Sequence, residues 1–485
     1  MKLDADTCHR ALAARDRRFD GLFYVGVRST GIYCRPVCPA RTPRRDGCVF
    51  FARAAEAERE GFRACLRCRP ELAPGNGPVD ASPRLVERAL ARIQAGYLNE
   101  ASVDELGRAL GVTGRHLRRA VTSSLGVTPV ELAQTRRMAL AKQLLQDTGL
   151  GIAEVAFAAG FASLRRFNAL FRSRYGRPPS ALRREASPPA CGGAAIVLRL
   201  DYRPPLEWEA LLDFLAARST RGVEEVEAGA YRRTVAIGPH RGFVEVRPDP
   251  RRPALAALVS PSLSGALMPL AARLRALFDL DARPDAVAAH LGRDPLLRRS
   301  LARRPGLRVP GAFEGFEAAV RAVLGQQVTV RAATTVAGRL ARELGEPIAT
   351  PYPGLDRLSP TAEAIAAAGV PRLARLGMPG ARAAALGALA GAVSSGSLEL
   401  DRHGDADEVE RRLCALKGIG PWTAQVVTMR ALGRPDAFPA GDLGVRRALR
   451  AGSAREAEAR AERWRPWRAY AAMHLWSALA KGDEP

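Results

Sequence analysis

The sequence predicts a multidomain protein that is mainly α-helical, with α+β parts. Its 485 residues exceed what one hydrophobic core usually holds, so several domains are expected. Two stretches rich in Pro, Gly and small residues, Glu71–Ser82 and Glu185–Ala194, indicate linkers. Elsewhere apolar residues mostly recur at helical spacing, and strand-like pieces are few.

The balance of charge indicates the class of partner. Lys and Arg number 74 and Asp and Glu number 50, which gives a formal net charge of +24. So large a surplus indicates a polyanion, either nucleic acid or an acidic membrane surface. The N-terminus lacks an apolar signal segment, and Pro and Gly interrupt the longest uncharged run, Pro253–Ala272, which we interpret as strand, turn and helix start. We therefore expect a cytoplasmic protein with no membrane partner.

The two linkers and one change of pattern divide the chain into four predicted domains. Strand-like pieces follow the second linker, at Ala195–Leu200, Tyr231–Ile237 and Phe243–Val246, and helical patterns take over from about Pro284. The predicted domains are 1–70, 83–184, 195–282 and 283–481.

The first domain carries four cysteines in two close pairs. The segment GIYCRPVCPAR holds Cys34 and Cys38, and FRACLRC holds Cys65 and Cys68. Two such pairs brought together by folding supply the four thiolates of a tetrahedral Zn²⁺ site. Four unrelated buried thiols are the alternative.

These residues, with RRFDGLFYVGVRST before them, resemble the zinc-bearing N-terminal domain of Ada-type alkylation-response proteins. The resemblance implies that Cys34 irreversibly accepts a methyl group from a methylphosphotriester of the DNA backbone. Zinc would hold the sulfur as the nucleophilic thiolate. Methylation removes one negative charge from the site, so we expect it to tighten DNA binding. A zinc site that only holds the fold is the alternative.

The second domain contains two similar helix pairs. In the first pair, Gly111 turns the chain and Thr113 is placed to cap a second helix, and in the second pair Gly160 makes the turn. The second helices carry the candidate major-groove residues Arg115, His116, Arg118, Arg119, Arg165, Arg166, Asn168 and Arg172. Generic helix pairs with solvated charges are the alternative.

With a long connecting helix around Leu132–Leu145 and the closing YGRPPSALR, this block resembles the AraC-type DNA-binding domain. The resemblance implies sequence-specific binding of promoter DNA in two major-groove segments, with RNA polymerase as a further expected partner.

A tight turn between two helices lies in LCALKGIGPWTAQVV, and FPAGDLGVRR follows it. Gly418 and Gly420 form the turn, and Pro421 suits the first helical position. The free N–H groups of that helix can hold a DNA phosphate. Lys417, just before the turn, is expected to contact phosphate or solvent.

Together these two segments resemble the helix-hairpin-helix DNA glycosylases. The resemblance implies that Asp442 is the catalytic carboxylate, which stabilises positive charge on the sugar as the base leaves. The alternative is that Asp442 only caps the helix after it. Trp422 occupies the position at which strand-cutting members carry Lys, so base excision without strand cleavage is expected.

The stretch Ile196–Leu479 resembles AlkA-type 3-methyladenine glycosylases, with RPGLRVPGAFEGFEAAVRAVLGQQVTVRAA among its markers. The resemblance implies an aromatic pocket for a cationic alkylated base, with Trp422 and Trp476 at the pocket positions. Core packing is the alternative for either Trp. Val426 aligns with a pocket Tyr of the best-known relatives, and Gln327 with the Leu that wedges into the DNA gap.

The motif PCHR of an O6-methylguanine methyltransferase does not occur, so that activity is not expected. The sequence thus predicts a zinc domain, an AraC-type paired helix-turn-helix, a strand-containing AlkA-type subdomain and an all-helical helix-hairpin-helix glycosylase domain. The predicted function is repair of alkylated DNA together with a response to it. Two alternatives stay open: a transcription factor whose inactive glycosylase fold clamps DNA, and a glycosylase whose first two domains bind DNA without regulating transcription.

Overall fold

The structure is a computed structural model that describes residues 4–74, 84–185, 196–402 and 404–480. The chain folds as two compact units. The first comprises Met1–Pro204, Ile237–His240 and Pro248–Ala272, and the second comprises Pro205–Ala236, Arg241–Arg247 and Arg273–Pro485. Helices predominate, so the expected mainly α fold with α+β parts is confirmed.

A small four-stranded sheet begins the first unit. Its elements are α1 (Ala5–Ala13), β1 (Tyr24–Val27), β2 (Ile32–Cys34), β3 (Cys48–Phe51), α2 (Ala54–Arg59) and β4 (Arg63–Ala64). The strand order is β3-β1-β2-β4, and β2 and β4 are parallel, with Tyr33 opposite Ala64. Because parallel strands end at the same edge of a sheet, the residues that follow Tyr33 and Ala64 emerge side by side. Those residues are Cys34 and Cys65.

Seven helices follow. They are α3 (Arg84–Gln94), α4 (Val103–Ala109), α5 (Gly114–Leu125), α6 (Pro129–Asp147), α7 (Ile152–Ala158), α8 (Leu164–Tyr175) and α9 (Pro179–Glu185). Gly111 and Gly160 turn the chain with φ of +74° and +82°, which glycine adopts without strain. Thr113 Oγ1 accepts the backbone N–H of His116 at 3.2 Å and so caps α5. The two predicted helix pairs and their connecting helix α6 are therefore confirmed.

The middle of the chain contains the remaining strands. In order, the elements are β5 (Ile196–Asp201), α10 (Trp208–Ala216), β6 (Glu224–Glu227), β7 (Ala230–Ile237), β8 (His240–Pro248), β9 (Ala254–Val259) and α11 (Leu267–Leu277). In the first unit β5 pairs antiparallel with β9, and in the second unit β6 pairs antiparallel with β7. The interpretation of Pro253–Ala272 as strand, turn and helix start is confirmed. Across the described ranges, every helix is too short or too polar to cross a membrane.

The rest of the second unit is helical. Its helices are α12 (Pro284–Leu291), α13 (Pro295–Arg303), α14 (Gly315–Leu324), α15 (Val330–Leu344), α16 (Ala362–Ala374), α17 (Gly380–Ser394), α18 (Ala406–Ala415), α19 (Pro421–Arg430), α20 (Leu443–Ala448), α21 (Ala454–Ala461) and α22 (Arg468–Ala480). One apolar core involves α14, α17 and α18, and a second involves α12, α13, α20 and α22. Helix α19 contributes Val427 to the first core and Met429 to the second. Because α19 packs into both cores, the position of the turn before it is fixed.

The first predicted linker begins too early. Glu71 and Leu72 belong to a short 3-10 turn, Pro70–Leu72, in which Leu72 is buried. The Glu71 carboxylate lies 2.5 Å from the ammonium of Lys142, whose side chain is fully buried on α6. An ion pair removed from water holds this segment in place, which composition alone does not indicate. Most of both predicted linkers, residues 75–82 of the first and 186–194 of the second, lies outside the described residues, and the four domain boundaries stay predictions.

Candidate functional site

Four cysteine sulfurs meet at the edge of the small sheet. The Sγ atoms of Cys34, Cys38, Cys65 and Cys68 all lie within 4.8 Å of one another, and all four side chains are buried. Cys34 ends β2 and Cys65 directly follows β4, so the parallel pairing of these strands brings the two sequence pairs together. The structure thus assembles the predicted ligand set.

These sulfurs fit zinc. A tetrahedron with zinc–sulfur bonds of about 2.3 Å has sulfur–sulfur edges of about 3.8 Å, which is compatible with sulfurs that all lie within 4.8 Å of one another. The backbone N–H of Arg35 donates to Cys68 Sγ at 3.3 Å, as expected where a sulfur carries negative charge. Cys8 and Cys48 lie instead in a separate apolar cluster with Phe23. Burial raises the pKa of Cys8 to about 11, so it stays a thiol at neutral pH.

Replacing any one of the four clustered cysteines by Ser is expected to remove most of the bound zinc, because three thiolates hold the ion much more weakly than four. Elemental analysis of the purified full chain measures this. Cys48→Ser is the matched control, since Cys48 is also buried but lies outside the cluster, and it should keep its zinc. Full zinc occupancy in all four cluster variants would overturn the assignment.

The helices α5 and α8 present positive charge to solvent. Arg115 and Arg118 on α5, and Arg165 and Arg166 on α8, are exposed. Arg118 also lies 3.2 Å from Asp104 on α4. These four predicted major-groove residues therefore lie on accessible helix faces, as DNA contact requires, whereas Asn168 is half-buried.

One buried carboxylate joins these helices to the small sheet. Glu58 on α2 accepts hydrogen bonds from Tyr33, at 3.0 Å, and from Thr135 on α6, at 2.5 Å. It also forms an ion pair with Arg174 on α8. Tyr33 immediately precedes Cys34, so a single side chain connects the neighbour of the cysteine cluster to two helices of the paired helix-turn-helix.

In the second unit, Asp442 is held by three N–H donors. Its Oδ1 accepts the indole N–H of Trp476 at 2.9 Å and the backbone N–H of Val445 at 3.0 Å, and its Oδ2 accepts the indole N–H of Trp422 at 3.2 Å. Asp442 is the N-cap of α20, so the predicted capping role is present. The cap leaves the carboxylate half-buried with both oxygens oriented. A carboxylate fixed in this way can stabilise a cation placed against it.

The predicted hairpin turn lies next to this carboxylate in the fold. Gly418 has φ of +89°, and a Cβ there would lie 2.8 Å from the Cβ of Ala385, so only glycine fits. Gly420 caps α19, and Pro421 takes the first helical position. Lys417 is exposed before the turn. The arrangement leaves the first N–H groups of α19 available to an anion.

A neighbouring loop contains a residue that sequence reasoning missed. The Gln326 side-chain amide donates to the carbonyl of Gly418 at 2.9 Å and to Thr423 Oγ1 at 3.0 Å, which ties the loop to the hairpin. Gln327, the predicted wedge residue, is exposed and has φ of +52°, an uncommon conformation for a residue other than glycine. The repeated amide in LGQQVT was the only signal available for Gln326.

Arg218 was also missed. Its guanidinium lies 3.8 Å from the ring centroid of Phe214. Burial, with a smaller contribution from Arg321, lowers the pKa of Arg218 to about 10, and the Asp442 carboxylate opposes this shift. Arg218 is therefore still cationic at neutral pH and close enough to Asp442 to interact with it. Val426, expected at the pocket, packs partly buried against the core that includes α14 and α17.

Family models match four consecutive stretches of the chain. They are the metal binding domain of Ada at 7–71, a helix-turn-helix domain at 106–185, the AlkA N-terminal domain at 197–314 and the HhH-GPD superfamily base excision DNA repair protein at 320–469. The chain is also 40% identical to the probable bifunctional transcriptional activator/DNA repair enzyme AlkA of Mycobacterium tuberculosis, over 99% of this chain and 97% of that protein. The chain belongs to this bifunctional AlkA family.

Two further similarities concern the second half of the chain. The chain is 37% identical to DNA-3-methyladenine glycosylase 2 of Escherichia coli, over 57% of this chain and 95% of that protein. It also resembles the solved 3-methyladenine DNA-glycosylase from Archaeoglobus fulgidus, with a TM-score of 0.52 and 25% identity, covering 59% of this chain and 99% of that one.

These findings confirm the predicted fusion of an Ada-type zinc domain, a helix-turn-helix and an AlkA-type glycosylase module in this chain. They confirm zinc as the cofactor and DNA as a partner. The roles assigned to individual residues stay predictions.

Proposed function

We propose that the second half of the chain excises alkylated bases of the 3-methyladenine type from DNA by hydrolysing the N-glycosidic bond. The observation that carries this proposal is the Asp442 carboxylate, oriented by the indoles of Trp422 and Trp476 beside a hairpin turn suited to DNA phosphate. The similarity to named 3-methyladenine glycosylases supports the substrate class.

In this mechanism the damaged nucleotide leaves the stack so that its sugar lies against Asp442. The bond between the sugar C1′ and the base breaks, its electron pair leaves with the base, and water adds to C1′ and releases a proton to solvent. Positive charge develops on the sugar before water adds, and the fixed carboxylate stabilises that charge. Trp422 and Trp476 offer aromatic faces to the base, and an alkylated base is cationic and so attracted to them.

The same geometry favours release of the base without strand cleavage. A strand-cutting mechanism requires an amine that attacks C1′ to form a Schiff base. Trp422 occupies the position after the turn at which an amine would be needed, and its indole N–H is donated to Asp442. The nearest lysine in sequence, Lys417, lies exposed before the turn.

Incubation with methylated duplex DNA tests the proposal. We expect free 3-methyladenine or 7-methylguanine to be released, with the strand intact until alkali cleaves the abasic site. Absence of release by folded protein that still binds DNA would favour the alternative of a glycosylase fold that only clamps DNA. Nicking without alkali would contradict the proposed monofunctional chemistry.

Trp476→Phe is expected to lower the rate of base release about tenfold, because one hydrogen bond to a charged group, about 1.5 kcal/mol, is lost while an aromatic face remains. Since Phe still stacks on the base, kcat should fall with little change in KM. The matched control is Trp464→Phe, because the Trp464 indole donates to the helix-capping Asp294 at 2.6 Å. Equal losses in the two variants would show a stability effect only.

We also propose that Cys34 accepts the methyl group of a DNA methylphosphotriester. Cys34, Cys38, Cys65 and Cys68 would hold the zinc, which would keep their sulfurs as thiolates at neutral pH. Cys34 Sγ forms a bond to the methyl carbon, the carbon–oxygen bond breaks, and the phosphate becomes an anionic diester. The protein loses one negative charge at the cluster, so its attraction to DNA increases.

The helix-turn-helix supports a regulatory role for this methylation, in which the methylated protein activates transcription. RNA polymerase as a partner and a cytoplasmic location remain part of this proposal. Expression from a reporter after alkylation, compared with Cys34→Ala, tests it. Induction that is independent of Cys34 would leave a glycosylase whose first domains bind DNA without sensing damage.

A further inference from the structure

Arg35 directly follows the proposed methyl acceptor, Cys34, and its buried side chain has several charged and polar partners. The Arg35 side chain is only 7% exposed. Its Nε donates to Asp20 Oδ1 at 2.8 Å, and a second nitrogen pairs with the other oxygen of Asp20. Its third nitrogen donates to the carbonyl of Cys68 at 3.2 Å. Arg35 therefore joins the Cys34 segment to the Cys68 segment.

The remaining partner of Arg35 comes from a distant part of the sequence. The nitrogen that contacts Cys68 also donates to Asp201 Oδ2 at 2.8 Å, and the Asp201 side chain is 8% exposed. Asp201 ends β5, within the stretch that matches the AlkA N-terminal domain and outside the stretch, 7–71, that matches the metal binding domain of Ada. Both residues belong to the first unit.

We propose that Asp201 is a positioning residue for the cysteine cluster, acting through Arg35, so that the AlkA-type part of the chain completes the methyl-acceptor centre. This inference rests on the proposed role of Cys34. The Arg35 backbone N–H donates to Cys68 Sγ, and the Arg35 guanidinium donates to the Cys68 carbonyl. These two hydrogen bonds hold the backbone of Cys34 against Cys68. A buried guanidinium keeps such a geometry only while its carboxylate partners are in place.

Asp201→Asn in the full chain removes the charge and nearly preserves the shape. Because residues that support metal ligands typically contribute about 10- to 100-fold to metal affinity, we expect zinc transfer to a chromogenic chelator to become at least about tenfold faster. Peptide mass spectrometry can follow the single-turnover methylation of Cys34 by a DNA duplex that contains a methylphosphotriester. We expect the maximal rate of this methylation to be lower in Asp201→Asn.

The matched control is Asp249→Asn. Asp249 is also in the first unit with its side chain 9% exposed, but it pairs with Arg199, at 3.2 Å, instead of Arg35. Asp249 and Asp201 both lie near Arg252, at 3.7 Å and 4.0 Å, so the two variants share the loss of that contact and differ at Arg35. Its zinc transfer should match that of the wild type. In a protein that already carries Arg35→Lys, adding Asp201→Asn should accelerate zinc transfer little further, since Asp201 acts through Arg35.

Equal zinc transfer by Asp201→Asn and the wild type would overturn the proposal, as would equal acceleration in Asp201→Asn and Asp249→Asn. Should Asp201→Asn fail to fold, Asp201→Glu replaces it, with faster zinc transfer again expected because the carboxylate is displaced by one methylene. A wild type that binds zinc but is never methylated at Cys34 would refute the proposed acceptor function alone. The comparison of zinc transfer would still decide the role of Asp201.

Discussion

Replacing Asp442 by Asn is expected to lower the rate of base release from methylated DNA about 100- to 1000-fold, the typical loss when a fixed group that stabilises transition-state charge is removed. The substitution removes the negative charge while keeping the size of the side chain. Single-turnover release of the base from methylated duplex DNA measures the effect.

The local geometry explains why this variant should remain folded. Asn is as good an N-cap as Asp, so its oxygen can still accept the N–H of Val445 at the start of α20. The amide nitrogen would then face the indole N–H of Trp422, which currently donates to Oδ2. Two donors facing each other cost about 1–3 kcal/mol, which a domain of this size can tolerate.

Asp294→Asn provides an unusually close control. Asp294 caps α13 by accepting the N–H of Leu296 at 2.9 Å, and it accepts an indole N–H from Trp464 at 2.6 Å. It therefore shares with Asp442 a helix cap and an indole hydrogen bond, in the same unit, and it additionally pairs with Arg463 at 2.7 Å. We expect it to lose stability without losing the rate per folded molecule. An Asp442→Asn enzyme as fast as Asp294→Asn would remove Asp442 from the chemistry.

Lys142→Met is expected to destabilise the first unit by about 3 kcal/mol, because breaking a buried ion pair leaves the partner charge uncompensated. The Lys142 ammonium lies 2.5 Å from Glu71 and donates to the carbonyl of Cys65 at 3.0 Å. Arg69 still binds the other oxygen of Glu71, at 3.1 Å, so the loss should fall at the lower end of the usual range. Zinc transfer should also become faster, since Cys65 loses a backbone contact.

Hydrogen exchange of the α6 amides measures this effect directly. All five tryptophans, Trp208, Trp422, Trp464, Trp467 and Trp476, belong to the second unit, so their fluorescence follows that unit separately. Arg108→Met is the control, because Arg108 on α4 is 75% exposed and its loss should change stability by less than about 0.5 kcal/mol. Adding Glu71→Gln to Lys142→Met should restore part of the stability. No restoration would contradict the ion-pair explanation.

Local chemistry made much of the fold predictable from the sequence. Gly111, Gly160 and Gly418 mark turns because their positive φ angles favour glycine, and Thr113 marks a helix start because its hydroxyl caps one. The two cysteine pairs predicted a metal centre because zinc imposes its own geometry on thiolates.

Contacts between distant segments were not predictable. Arg35 and Asp201 are 166 positions apart, and Lys142 and Glu71 are 71 apart, and no sequence pattern links the members of either pair. The hydrogen bond from Gln326 to the hairpin and the position of Arg218 near Asp442 also depend on contacts between distant segments. Only the packing of whole elements brings such side chains together.

The Glu58 carboxylate bears on how such a fusion is inherited. It serves Tyr33 beside the cysteine cluster, Thr135 on α6 and Arg174 on α8, and its side chain is only 7% exposed. A recombinant that received a foreign helix-turn-helix segment would bury this carboxylate without its hydroxyl and guanidinium partners. A foreign segment that lacks these two partners should therefore destabilise the first unit, and we expect substitutions at these positions to co-vary between lineages.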